Sequence, residues 1–92
     1  NLNPNDYYLY YEKANSLYEL EKYEEAIQYY EKVIELDKNN LQAHSKKINS
    51  LCKLNKHKEA IICYDLLIEI NPNNPILYYN KGNSLNKLHK YE

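Results

Sequence analysis

Apolar residues return along this chain at helical spacing, in short runs separated by polar breaks. Tyr10, Ala14, Leu17 and Leu20 share one helix face, and Ala26, Ile27, Tyr30, Val33 and Ile34 share a face in the next run. The arrangement comes back as His44, Ile48, Leu51 and Leu54, then Ala60, Ile61, Tyr64, Leu67 and Ile68. Steps of three and four residues, not alternation, predict helices over 7–20, 24–37, 41–54, 58–71 and 75–88. Asn3-Pro4-Asn5-Asp6 and Asn71-Pro72-Asn73-Asn74 read as turns, and Pro75 suits a first helical turn, where its missing N–H is not needed. Glu21, Asn55 and His89 stand where a left-handed residue, commonly Gly, would link two helices. Asn is comfortable there; Glu21 and His89 would each cost about 1 kcal/mol in that conformation.

Laying residues 7–40 over 41–74 shows a period of 34. Lys13/Lys47, Asn15/Asn49, Ser16/Ser50, Leu17/Leu51, Ala26/Ala60, Tyr30/Tyr64 and Asn40/Asn74 are among the matches. Residues 75–92 restart the unit with Tyr78, Lys81, Asn83, Ser84 and Leu85 and stop halfway. The expected organisation is therefore 1–6 as the tail of a preceding repeat, 7–40 and 41–74 as repeats, and 75–92 as the first helix of a third. With no initiating Met and a half unit at the end, the chain reads as a window on a longer array.

Composition narrows the function classes. Charged residues at 27% and hydrophobic ones at 43% fit a folded, water-facing chain, and no apolar run approaches the ~18 residues of a membrane helix. The net charge of -1 gives no basic field for nucleic acid, and the basic residues are all Lys, without the bidentate forks of Arg. Cys52 and Cys63 form neither a CxxC pair nor a zinc-ribbon spacing, so free thiols and a cytoplasmic or otherwise reducing compartment are expected. With one Gly there is no phosphate-cradling loop, and no HExxH or GxSxG occurs, so the chain does not read as an enzyme. His44, His57 and His89 fall at different phases of the repeat and suit structural roles, so neither metal nor cofactor is expected.

Tyr10, Ala14, Leu17, Ala26 and Tyr30, then Leu51, Ala60, Tyr64 and Pro72, then Tyr78, Gly82 and Leu85 carry a resemblance to the tetratricopeptide repeat family across essentially the whole chain. Lys13, Lys47 and Lys81 depart from it, standing where the family usually has Leu; Ile48 replaces a small residue, and Lys38 stands where Pro72 stands one unit later. The resemblance implies an all-α fold: helix-turn-helix repeats stacked as a right-handed α-solenoid of about two and a half repeats. It also implies a concave groove, lined by the first helix of each repeat, that holds a peptide or protein partner.

Counting from the core positions, that groove is lined by Tyr8, Tyr11, Asn15 and Tyr18, then Gln42, Ser45, Asn49 and Cys52, then Ile76, Tyr79, Asn83 and Asn86. Asn15, Asn49 and Asn83 either hold helix contacts or form a ladder of amides able to pair with the backbone of any extended peptide. Tyr side chains around them combine apolar area with a hydroxyl, as binding hot spots often do. Tandem repeats that resemble this chain and clamp a C-terminal carboxylate use Lys and Asn, then Asn, then Lys and Arg. Here those positions are Tyr11 and Asn15, then Lys46, then Ile76 and Asn80, so only Asn15 fits. Two alternatives compete with peptide binding. Aromatic rings in the groove could stack on RNA bases, although the lack of Arg argues against it. Self-association is expected through the last helix, whose Tyr78, Gly82, Leu85 and Leu88 lack a covering partner. Residues 7–40 carry eight acidic residues against four Lys, and 41–74 three against five, which would favour head-to-tail contact over a two-fold dimer.

Overall fold

The computed structural model describes residues 6–91; the turn residues Asn3-Pro4-Asn5, the rest of the 1–6 tail before Asp6, and Glu92 lie outside the described residues. Five helices follow in order: α1 (Tyr7–Glu19), α2 (Tyr23–Leu36), α3 (Leu41–Lys53), α4 (His57–Ile70) and α5 (Pro75–Tyr91). Each packs on the next along the chain, which places α1, α3 and α5 in one layer and α2 and α4 behind them. Extents of 44 × 30 × 15 Å describe a slab two helices thick, the shape of a solenoid rather than a closed globule. The fold is an all-α tandem-repeat solenoid, as the spacing and the resemblance predict.

Local chemistry sets the boundaries. The chain leaves α1 with Glu21 at φ 62° and leaves α3 with Asn55 at φ 61°. Behind each, an N–H reaches back five residues, Lys22 to the Leu17 carbonyl at 2.9 Å and Lys56 to the Leu51 carbonyl at 2.8 Å, satisfying the last open carbonyls of the helix. His89 stays helical within α5, which continues through Tyr91 instead of ending near 88, so the strain expected at His89 does not arise. Asn40 caps α3, its side-chain oxygen accepting from the Ala43 N–H at 3.0 Å, and Asn74 accepts from the Ile76 N–H at 3.0 Å one unit later.

Two apolar clusters hold the layers together. Ala14, Leu17, Ala26 and Tyr30 join α1 to α2; Ile48, Leu51, Ala60, Cys63, Tyr64, Leu67 and Leu77 join α3, α4 and α5. In the first, two alanines make room for the Tyr30 ring, the large-against-small packing that the repeat pattern implies. Ala43 and Ser50 are also fully buried, on the side of α3 that meets the preceding helix pair. Leu20 is exposed although the spacing places it on the apolar face, because it stands at the very end of α1 on a flank that no described helix covers. His44 occupies an aromatic slot by keeping its polar contact: its Nε2 pairs with the Lys38 carbonyl at 3.0 Å, just as the Tyr78 hydroxyl donates to the Pro72 carbonyl at 3.0 Å.

The Lys residues that depart from the family pattern also acquire a physical reason. Lys47 pairs with Glu31 at 3.2 Å and Lys81 with Asp65 at 2.6 Å, each bridging a second helix to the first helix of the following unit. Lys13 lies 6.0 Å from the Tyr29 ring centroid instead. A Leu here would add apolar contact; the Lys keeps its stem along the helix and its head on a partner one unit back.

Candidate peptide-binding groove

The open face of the α1, α3 and α5 layer carries two adjoining clefts. One, of about 290 Å³, lies between α1 and α3 and is lined by Tyr11, Leu41, Gln42, Ser45, Lys46 and Asn49. The second, of about 150 Å³, lies between α3 and α5, with Asn74, Ile76 and Asn80 on its far wall. Ser45 and Asn49 line both, so α3 forms the ridge between them. The first opens broadly to solvent, as a surface for an extended segment would; the second is more enclosed, floored by the buried Ile48, Tyr64, Leu67 and Leu77.

Of the residues expected in the groove, Tyr11, Gln42, Ser45, Asn49 and Ile76 come together at these clefts. Tyr11 is half-buried and meets Tyr30 edge-on, with ring centroids 5.9 Å apart. Tyr18 is half-buried too, edge-on to Tyr23 at 5.3 Å, with the Lys46 ammonium 5.0 Å from its ring centroid. Cys52 packs partly against the second apolar cluster. Tyr8 and Tyr79 stand exposed, and a hydrogen bond to the Glu12 carboxylate raises the Tyr8 phenol above the usual tyrosine range. Asn83 and Asn86 are exposed on α5 away from either cleft.

The three repeat-spaced amides are not equivalent. The Tyr30 hydroxyl donates to the Asn15 side-chain oxygen, so this amide already holds α1 to α2 and a ligand would have to share its acceptor. Asn49 is exposed at the junction of both clefts. Leu41, Lys46, Asn74 and Asn80 also line the clefts and were not in the expected stripe. Lys46 and Asn80 each follow an expected groove position by one residue. A stripe covering more than ~100° of a helix admits two adjacent phases, and that width is the signal that would have found them.

Burial shifts three titratable groups in the core. Burial pushes the Cys63 thiol up, which leaves it protonated and a poor nucleophile, and no disulfide joins it to Cys52. Burial likewise raises the Tyr64 phenol and, more strongly, that of Tyr30. Among the described residues no cluster of His, Cys, Asp or Glu has the grouping a metal ion requires, and no helix is long and apolar enough to cross a membrane.

Paired helices in series, a two-layer slab and an open channelled face define a helical-repeat binding module. One family model, described as Tetratricopeptide repeat, matches residues 7–40, and a second, described as TPR repeat, matches residues 49–88. The chain belongs to the tetratricopeptide repeat family, whose members generally mediate protein–protein interactions. Among solved structures it is similar to the MamA RS-1 ArsTM double mutant, with a TM-score of 0.79 and 25% identity, over 92% of this chain and 48% of that one. The present chain thus spans about half the length of that structure. No curated protein sequence matches it.

Proposed function

We propose that the chain is an interaction scaffold that holds an extended peptide segment of a partner protein across α1, α3 and α5. The observation that carries this is the pair of adjoining clefts meeting at Asn49, an exposed amide with both donor and acceptor beside Tyr11 and Ile76. Such a group pairs with peptide backbone whatever the partner's side chains, while apolar walls on either side select among them. Asn49→Ala together with Asn80→Ala, both lining the clefts, should weaken binding of peptides selected from a displayed random library, with helicity and melting nearly unchanged. Calorimetry that finds unaltered affinity in the double variant removes the amides from the binding role.

One observation favours a second function, association of copies through α5. Tyr78 is exposed and Leu85 and Leu88 are only partly covered on this helix, whereas the equivalent Tyr10 and Leu17 are packed against α2. Light scattering over a range of protein concentration is the test; a strict monomer at the highest concentration ends this alternative.

A further inference from the structure

We infer that the groove discriminates by charge along its width, taking a peptide whose acidic stretch lies over α3 and α5 and whose basic stretch lies over α1. This rests on the peptide-binding function proposed above and specifies its partner.

Glu12, Lys46 and Asn80 occupy one phase of the repeat, and Glu19, Lys53 and Lys87 occupy the phase two turns further along the same helices. Glu12 and Glu19 flank a shallow hollow on α1 together with Asn15 and Ser16. Lys46 lines the cleft between α1 and α3, and Asn80 the cleft between α3 and α5. Seven residues of helix return to nearly the same face, so Lys53 and Lys87 continue the stripes that Lys46 and Asn80 begin. The order across the layer is therefore two carboxylates, then two ammonium groups, then an amide and an ammonium group.

The lysine charges are available, while the Glu12 carboxylate also accepts a hydrogen bond from the Tyr8 hydroxyl. The three ion pairs among the described residues use Lys47, Lys56 and Lys81, which leaves Lys46, Lys53 and Lys87 outside them. Lys46 is also positioned, since the Tyr18 ring 5.0 Å away holds its ammonium group at the wall of the first cleft. A cation held beside an aromatic wall attracts a carboxylate more strongly than one waving in water, because less solvent screens the pair. A helix with its side chains is about 10 Å across and an extended chain advances about 3.3 Å per residue, so each helix meets about three residues of peptide. A basic residue over Glu12 and Glu19 and an acidic one over Lys46 or Lys53 are then about three residues apart. A uniformly acidic segment would set like charges against α1, and a single-stranded nucleic acid would do so along its whole backbone, so α1 acts as the element that rejects polyanions.

The test uses the whole chain and a displayed library of random linear peptides long enough to cross all three helices. Enriched peptides should carry acidic residues toward one end and basic residues toward the other. Lys53→Glu with Lys87→Glu, both at exposed positions, should weaken a synthetic copy of the best peptide by about tenfold or more, and Glu12→Lys with Glu19→Lys should admit uniformly acidic peptides. Circular dichroism of each variant separates lost binding from lost folding, and the two pairs of exposed substitutions report independently of Lys46. Enrichment of peptides without charge order, bound equally by all variants, overturns the charge inference and leaves the groove standing. Failure to enrich any peptide overturns both. Displacement of the selected peptide by mixed single-stranded RNA at equal concentration and physiological salt also overturns it, since α1 would then not be rejecting polyanions.

Discussion

Two neighbouring residues, each present three times, show how the ends of the molecule differ from its middle. Leu17 and Leu51 are 8% and 3% exposed, while Leu85, identical in type and phase, is 38% exposed. Ser50 and Ser84 are buried, and Ser16 is exposed. Leu loses its cover on α5, where no helix of the described chain follows it; Ser loses its cover on α1, where none precedes it. Burial in a solenoid is decided by the unit next door, so one letter of sequence carries different energy in each copy.

Truncating the leucines gives the largest separation. Leu17→Ala and Leu51→Ala should each cost about 2–5 kcal/mol, because each empties a site between packed helices, whereas Leu85→Ala should cost less than about 1 kcal/mol. Thermal or urea unfolding of the three variants measures this directly, and equal losses would mean that α5 is covered in solution.

Alkaline unfolding gives the next. Burial raises the phenols of Tyr30 and Tyr64 above the ordinary tyrosine value, so an unfolded chain loses these protons before the folded one does. Their contribution is fully present below about pH 10 and drains away as pH rises through the unfolded and then the folded value. Stability measured from pH 9 upward should therefore fall, and Tyr30→Phe with Tyr64→Phe should flatten the fall. An unchanged slope in the double variant would locate the titrating groups elsewhere.

The smallest contrast lies in the turns. Glu21→Gly should stabilise by about 1 kcal/mol by removing a Cβ from a left-handed residue, while Asn55→Gly should change stability by only a few tenths. A difference in melting between the two substitutions checks it; equal effects would show that Glu21 is relaxed by its surroundings.

The sequence carried the helices well, since their starts follow from periodicity and from the Asn and Pro residues between them, and α1 to α4 begin and end within a residue of expectation. It could not carry the fate of Leu20, because apolar spacing describes a face and not whether another helix will lie against it. Nor could spacing separate Asn15 from Asn49: both stand at one phase, yet the hydroxyl of Tyr30 engages the first. Lys46 and Asn80 lie outside a stripe one residue wide, and the groove takes two adjacent phases. Lys47 and Lys81 read as substitutions for Leu until their partners on the preceding unit came into view.

Those last two contacts bear on how such a gene can grow. The lysine of each bridge lies in one unit and the acid in the unit before it, and repeats one and two each encode both halves, as Lys13 with Glu31 and Lys47 with Asp65. In-frame duplication of either 34-residue stretch would deliver plug and socket together, so the new junction would find its ionic partner without any further mutation. A Leu at that position would have to be refitted to each new neighbour's shape, whereas a flexible Lys and a carboxylate tolerate imperfect seams. The departure from the family's usual residue thus makes the array readily extensible by copying.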